Sequence, residues 1–104
     1  MPPRITYSTG IVLFAVSSGF RYGFEIMDAS GLASGTVYPI LRRLEDAGLL
    51  SARWEAIADA RDEQRPARRY YQITGAGRQA LREAAARFPG LTSTLQPGAA
   101  VVET

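Results

Sequence analysis

The first half of the chain shows three segments with helical patterns, separated by short polar breaks. Residues 8–18 (STGIVLFAVSS) are apolar on nearly every side, which is typical of a helix that is buried on more than one face. A short second helix is predicted over 23–30 and a third over 34–47. The third helix carries apolar residues at the spacing i, i+3, i+4 and i+7, which indicates one buried face. These residues are Val37, Ile40, Leu41 and Leu44. Two short helices joined by so brief a turn, the second amphipathic, are typical of a helix-turn-helix.

The second half of the chain begins with two strand-like segments. Residues 49–55 alternate loosely between apolar and polar positions, and residues 69–74 are rich in aromatic and β-branched side chains. The polar segment between them, 56–68, is predicted to be a long hairpin loop. A last helix is predicted over 75–88, with Thr74 as its N-cap.

Together these elements predict an α+β fold that is mostly helical. It is a winged helix-turn-helix with three helices, a two-stranded β-hairpin as the wing and one C-terminal helix. The predicted domain covers 8–88, after an N-terminal arm (1–7) and before a flexible C-terminal tail (89–104). Ser34 is the expected N-cap of the third helix and Gly48 the glycine that ends it. A length of 104 residues fits one domain and not two.

The chain contains no Cys and no His. A zinc ribbon, a thiol nucleophile, an imidazole base and a Ser-His-Asp triad are therefore all excluded. A hydrolase built on carboxylates alone is a distant alternative, because no acidic pair lies in a supporting motif. We expect a protein that is not an enzyme and has no cofactor and no metal. No apolar run reaches the roughly 18 residues that cross a bilayer, so we expect a cytoplasmic protein without membrane contact.

The formal net charge of +2 hides an uneven distribution of charge along the chain. Residues 65–82 carry five Arg and no acid, whereas residues 55–64 carry one Arg and four acids. All 12 basic residues are Arg, which is the side chain best suited to bidentate contacts with phosphate and guanine. A coding genome rich in G and C is the alternative explanation for this preference. The basic segment favours a polyanionic partner.

Several short motifs occur together in the order expected of one known family. They are YGFEI at 22–26, SGTVYPIL at 34–41, GLL at 48–50 and RPARRYY at 65–71. In this combination the chain resembles the PadR-like family of bacterial transcriptional regulators over roughly residues 9–88. The resemblance implies a winged helix-turn-helix whose partner is double-stranded DNA. The long C-terminal dimerisation helix of many members has no counterpart here, so the chain looks like a short form.

The resemblance also implies that the third helix enters the major groove of DNA. On a helical wheel Arg42 lies roughly opposite the buried face, and it is the strongest candidate for reading a guanine. The alternative is that Arg42 and its neighbour only solvate an exposed helix face. The candidate DNA contacts on this helix are Ser34, Thr36, Tyr38, Arg42 and Arg43.

In the wing, the resemblance implies that basic side chains contact flanking phosphates or the minor groove. The candidates are Arg65, Arg68 and Arg69. The alternative is a solvated hairpin in which these arginines pair with Asp59, Asp62 and Glu63. The aromatic residues of the two strands, Trp54, Tyr70 and Tyr71, are expected in the core rather than stacked on bases.

The first helix is more apolar than one small core requires. We therefore expect it to form a dimer interface together with the last helix, because two-fold pairing doubles the DNA contacts and matches palindromic operators. The predicted interface residues are Val12, Phe14, Leu81, Ala84, Ala85 and Phe88. The alternative is burial of these side chains within the monomer.

These observations favour a sequence-specific DNA-binding transcriptional regulator, acting as a homodimeric repressor that excludes the polymerase. One alternative is a protein-interaction module that binds an acidic partner or forms mixed dimers with a full-length relative. Another is a ligand-sensing fold with an apolar pocket at the dimer interface. The sequence does not determine whether the protein binds a small-molecule effector, because no polar cluster specifies one.

Overall fold

The computed structural model describes residues 5–95 of the chain. It contains a mostly helical fold with one antiparallel sheet of two strands, so the predicted winged helix-turn-helix is confirmed. The elements, in chain order, are α1 (Tyr7–Ser17), α2 (Gly23–Ser30), α3 (Ser34–Asp46), β1 (Leu50–Trp54), α4 (Ile57–Asp62), β2 (Arg69–Ile73), α5 (Gly75–Arg87) and a 3₁₀ turn (Leu91–Ser93).

Helix α1 lies at the centre of the core. It packs against α2, α3, α5, β2 and the 3₁₀ turn, so it has neighbours on most sides. This surrounding explains why its sequence is apolar nearly all round. Leu13 of α1 is fully buried in the same apolar core as Ile26 of α2 and Leu41 of α3. Each such side chain contributes about 1.5–3 kcal/mol through removal of its apolar surface from water.

The two ends of α3 differ from each other in how well the sequence predicts them. Gly48 ends the helix as expected, with φ at 77°. The N–H of Gly48 donates to the Glu45 carbonyl and that of Leu49 to the Leu44 carbonyl, which is the Schellman pattern. The N-cap prediction is wrong, because Ala33 holds the extended N-cap position and Ser34 is already helical. The turn before α3 is held instead by the Ser30 hydroxyl, which accepts from the Leu32 N–H at 3.1 Å.

The two strands pair in register from Leu50 opposite Ile73 to Trp54 opposite Arg69. Leu50, Ala52 and Trp54 therefore share one face of the sheet. Leu50 is buried under this face, but the sheet extends beyond the core and Trp54 is 64% exposed. The core prediction is right for Tyr71 and wrong for Trp54.

The segment 56–68 between the strands contains helix α4, so the prediction of an unbroken loop is wrong. Alanines favour a helix in this segment, and Ala60 is buried against the wing. The helix is followed by Gln64 in the left-handed region, with φ at 56°. Because this segment is rich in charged residues and contains Pro66, its sequence pattern does not predict the short helix.

The last helix begins as the sequence predicts. The Thr74 hydroxyl accepts from the Gly77 N–H at 3.0 Å and donates to the Gly48 carbonyl at 2.8 Å. After α5, Leu91 is fully buried against α1, next to Gly10. Packing against the core therefore continues past the domain boundary predicted at residue 88.

Ile5, from the predicted N-terminal arm, is buried as well, and its carbonyl accepts from Arg87 Nη1 at 2.9 Å. The remainder of the arm (1–4) and of the predicted tail (96–104) lies outside the described residues. Within residues 5–95, no helix is long and apolar enough to cross a membrane.

Candidate nucleic-acid interface

Helix α3 presents a continuous solvent face opposite its buried one. Val37, Leu41 and Leu44 point into the core and are fully buried or nearly so. The opposite face is polar and cationic, as the periodicity predicts. Its exposed residues are Ser34, Gly35, Tyr38, Pro39, Arg42 and Arg43, with one acid, Asp46, at the C-terminal end of the helix, and Thr36 is half-buried beside them. The five candidate contacts on α3 thus lie on one accessible side of the helix.

Within residues 5–95, neither arginine of this face forms an ion pair with an acid. The ion pairs within residues 5–95 are Arg65–Glu55 and Arg69–Glu45. Arg42 and Arg43 take part in neither, and both are exposed. Their guanidinium groups are therefore available to a phosphate or to the edge of a guanine, to which arginine donates two parallel hydrogen bonds.

Tyr38 lies across the first turn of α2. The Tyr38 ring packs against the α2 backbone at Gly23. This close contact is possible because glycine has no side chain, since a Cβ at this position would overlap the ring. The ring remains 49% exposed. This contact directs the Tyr38 side chain from α3 towards the first turn of α2.

Arg69 connects α3 to the wing. Its Nη2 donates to Glu45 Oε2 at 2.7 Å, and its guanidinium lies 5.2 Å from the centre of the Trp54 ring. The side chain is therefore engaged on both sides, by a carboxylate and by an aromatic face. Arg69 holds α3 and β2 together, and its charge is neutralised by Glu45.

Arg65 also forms an ion pair within the fold. Its partner is Glu55, which was not among the acids considered from the sequence. Its Nη1 and Nη2 donate to the two carboxylate oxygens of Glu55 at 2.6 and 2.8 Å. The alternative, in which the wing arginines pair with Asp59, Asp62 and Glu63, is not what the structure has, because neither ion pair within residues 5–95 involves those acids.

Glu55 accepts hydrogen bonds from several donors in the wing. Its carboxylate also accepts from the Arg68 N–H at 3.1 Å and lies 3.4 Å from the Tyr70 hydroxyl. The hydrogen bonds from Arg65 lower the pKa of Glu55 from 4.5 to about 2, against the opposing effect of desolvation. Reciprocally, the hydrogen bond to Glu55 raises the pKa of Arg65. The Arg65–Glu55 pair is therefore charged at neutral pH and closes the base of the wing loop.

Arg68 is the wing candidate whose charge is not neutralised by an acid within residues 5–95. Its guanidinium lies over the Tyr22 ring, 4.1 Å from the centroid. Of the three wing arginines predicted to contact DNA, Arg68 is thus the one with a free positive charge.

Two further exposed arginines, Arg21 and Arg53, were not among the predicted candidates, and they lie around Tyr70, on the other face of the sheet from Trp54. Arg21 and Arg53 each lie 5.2 Å from the centre of the Tyr70 ring, and both are exposed. The alternation of side chains along β1 predicts that Arg53 lies on the opposite face of the sheet from Leu50 and Ala52. Arg21 lies beside β2 because its carbonyl accepts from the Tyr71 N–H at 2.7 Å, a contact without a sequence signature.

Trp54, which was expected in the core rather than stacked on bases, is exposed beside α3. It lines a groove of about 350 Å³ between α2, α3 and the wing. We call it the aromatic groove, and its side-chain walls include Tyr22, Phe24, Tyr38, Trp54, Arg68 and Arg69.

The residues predicted to form a dimer interface divide into two groups. Val12 and Ala84 are buried inside a single chain, so their assignment to a surface between subunits is wrong and the alternative of burial in the monomer holds for them. The others are half-buried on the α1–α5 side of the fold, where Phe88 packs edge-on against Tyr7 with ring centroids 5.4 Å apart. This second group is Phe14, Leu81, Ala85 and Phe88.

Comparison with known proteins places this geometry in a family. The chain matches the model of the transcriptional regulator PadR-like family over residues 12–83. It is similar to the X-ray structure of a PadR-like transcription factor from Bacteroides fragilis, with 29% identity, a TM-score of 0.64, and coverage of 83% of this chain and 84% of that chain. It is also similar to the crystal structure of a PadR family transcriptional regulator from Eggerthella lenta DSM 2243, with 26% identity, a TM-score of 0.62, and coverage of 84% and 79%. No curated protein matches the chain significantly. The family match covers most of the winged helix-turn-helix, including α3 and the wing, and the chain therefore belongs to the PadR-like family of transcriptional regulators, which are DNA-binding proteins and not enzymes.

Proposed function

We propose that this protein is a homodimeric transcriptional repressor that binds a specific sequence of double-stranded DNA. Helix α3 lies in the major groove, the base of the wing contacts flanking phosphates, and the bound dimer excludes the polymerase from the promoter. The observation that carries the proposal is the exposed face of α3. It places Tyr38, Arg42 and Arg43 on one accessible side, without an acidic partner for either arginine in the described chain.

Within this proposal, Arg42 reads base identity. A bidentate arginine–guanine pair contributes about 1–3 kcal/mol of discrimination against the wrong base. Ser34 and Thr36, in the first turn of α3, and Tyr38 one turn along, contact phosphates or base edges. The positive end of the helix dipole lies at that first turn and favours an anion there. Arg43, on the flank of the exposed face, contacts the backbone.

The wing arginines take different roles in this proposal. Arg68 contacts a phosphate, since its charge is free. Arg65 and Arg69 act mainly by holding the wing in place, through Glu55 and Glu45 respectively. Three exposed acids, Asp59 and Asp62 of α4 and Glu63 directly after it, keep the outer part of the wing away from the phosphates, so contact is made at the base of the wing.

Dimerisation in this proposal uses the partly exposed apolar side chains of α1 and α5. Phe14, Leu81, Ala85 and Phe88 form the contact, and two copies related by a two-fold axis read the two halves of a palindromic site. A regulator of this kind works in the compartment that holds the DNA, and we propose the cytoplasm. A small-molecule effector is not part of the proposal, because nothing in the described chain specifies its chemistry.

Fluorescence anisotropy tests the proposal. Purified protein is titrated with labelled duplex DNA from upstream of its own gene and with a scrambled duplex of equal length, at two salt concentrations. We expect selective binding to the upstream duplex, and we expect Arg42→Ala to lower this selectivity by about tenfold or more. Arg82→Ala, which removes an exposed arginine of α5, is the matched control and should bind as the wild type does.

Two results would contradict the proposal. Equal affinity for both duplexes would leave a basic domain without sequence selectivity. Absence of binding at either salt concentration would favour the protein-interaction module, in which the same arginines contact an acidic partner.

A further inference from the structure

Three large aromatic side chains stand exposed around the aromatic groove. Phe24 is 68%, Trp54 64% and Tyr38 49% exposed, although each carries enough apolar surface to favour burial. Scattered exposed apolar residues are ordinary, but a cluster of them around one concave surface marks a binding site. The groove lies between the recognition helix and the wing, so any occupant is continuous with the face that α3 presents to DNA.

Trp54 is positioned by its strand pairing and by one side-chain neighbour, Arg69. Trp54 is the last residue of β1, and its partner across the sheet is Arg69. Arg69 packs against the Trp54 ring and is itself anchored to Glu45 of α3 at 2.7 Å. The ring is thereby held in place while its outer surface remains in water. Such a preorganised aromatic surface loses little side-chain entropy when a ligand covers it.

The charge of the groove restricts the chemistry of its occupant. Its lining contains Arg68 and Arg69 and no acid. Arg69 is neutralised by Glu45, which leaves the positive charge of Arg68 beside the apolar rings. An occupant that fits carries an anionic group next to an apolar surface. A sugar–phosphate backbone has this composition, with the deoxyribose ring between successive phosphates.

We propose that the aromatic groove holds one stretch of sugar–phosphate backbone of the duplex bound by α3. Trp54 and Phe24 pack against a deoxyribose, and Arg68 contacts the adjacent phosphate. This inference rests on the proposed function and adds Trp54 and Phe24 to the DNA-contacting residues. It also explains why the base of the wing, rather than its acidic outer helix α4, faces the DNA.

The fluorescence of Trp54 gives a direct test, because Trp54 is the single tryptophan of the chain. Emission and acrylamide quenching are recorded for the full chain alone and with its upstream duplex. We expect the duplex to shift the emission to shorter wavelength and to protect Trp54 from acrylamide. A single strand of the same sequence is the second probe. Stronger protection by the single strand would assign the groove to unstacked bases and overturn the inference.

Affinity measurements at several salt concentrations separate the apolar contact from the ionic one. Trp54→Ala should weaken duplex binding about tenfold and leave the slope of log K against log salt unchanged, since no ionic contact is removed. Arg68→Ala should weaken binding and reduce that slope by about one. Trp54→Phe should recover most of the affinity, because it keeps an aromatic face.

The matched control is Ile57→Ala, which removes a side chain of α4 that is as exposed as Trp54 but lies outside the aromatic groove. It should leave the affinity unchanged. If the wild type binds its duplex selectively while Trp54 stays open to acrylamide and Trp54→Ala binds equally well, the groove inference is wrong and the proposed function stands. If the wild type shows no selective binding, the proposed function itself fails.

Discussion

Arg65 donates two parallel hydrogen bonds to Glu55, one from each Nη atom, although the two residues are ten positions apart along the chain with helix α4 between them. The pair closes the segment between β1 and β2 at its base. The same carboxylate accepts from the Arg68 backbone N–H, so a single side chain joins β1, the loop and the start of β2. The position of Arg68 in the proposed interface therefore depends on Glu55.

Replacement Glu55→Gln should lower the thermal stability of the protein and loosen the wing. The amide keeps the shape of the side chain but removes the charge that binds Arg65, and it leaves that guanidinium partly buried without its partner. We expect a lower Tm by thermal denaturation and weaker DNA binding. Glu63→Gln removes an exposed acid of the same segment and should change Tm little. Equal Tm values for the two variants would show that the pair does not stabilise the wing.

The stability of the wild type should fall with decreasing pH in a window set by Glu55. The pKa of Glu55 is lowered from 4.5 to about 2 in the folded protein, so its stabilising effect is fully present above pH 4.5. Below that pH the unfolded chain takes up the proton more readily than the folded one, and the effect is lost as the pH falls towards 2. Tm is measured for the wild type and Glu55→Gln between pH 6 and pH 2.5. The difference in Tm between the wild type and Glu55→Gln should narrow as the pH falls. A difference in Tm that stays constant would show that Glu55 does not cause the pH dependence.

Helix α5 packs closely on Leu49, directly before β1, so alanine substitutions at Gly75 and Gly77 should have opposite effects on stability. A side chain at Gly77 would overlap the Leu49 carbonyl oxygen, whereas one at Gly75 would meet open space. Gly77→Ala should therefore destabilise the fold by about 1–3 kcal/mol, since backbone has to move. Gly75→Ala should be neutral or stabilise by up to about 1 kcal/mol, because alanine favours the helix. Denaturant unfolding of both variants measures this. Similar free energies of unfolding would show that α5 does not approach Leu49 so closely.

The parts of the fold that the sequence predicts are those with local causes. The buried face of α3 follows from the spacing of its apolar residues, and the start of α5 follows from the Thr74 hydroxyl. The failures depend on contacts between distant segments. Trp54 has the sequence pattern of a core residue, and its exposure follows only from where the sheet leaves the core. The Glu55–Arg65 pair likewise depends on how α4 folds the loop back on itself, so that two residues ten positions apart meet.

The proposed dimer predicts that a charge on the α1–α5 side separates the subunits. Leu81 is half-buried on α5, so Leu81→Glu should reduce the molecular mass in solution, measured by analytical ultracentrifugation, from that of a dimer to that of a monomer. It should also weaken DNA binding, because each subunit then contacts only half of the site. Ala86→Glu places the same charge on an exposed position of α5 and should leave the mass unchanged. A wild type that sediments as a monomer at all concentrations would refute the dimer.

Gly23 and Tyr38 couple the first turn of α2 to the recognition helix. A methyl group at Gly23 would displace the Tyr38 ring, which is the mobile partner in this contact. Gly23→Ala should therefore weaken DNA binding about as much as Tyr38→Ala does, while the free energy of unfolding changes little. The double variant tests the coupling, because Gly23→Ala should have almost no further effect once the ring is gone. Additive losses of affinity in the double variant would instead mean that Gly23 acts on DNA binding independently of Tyr38.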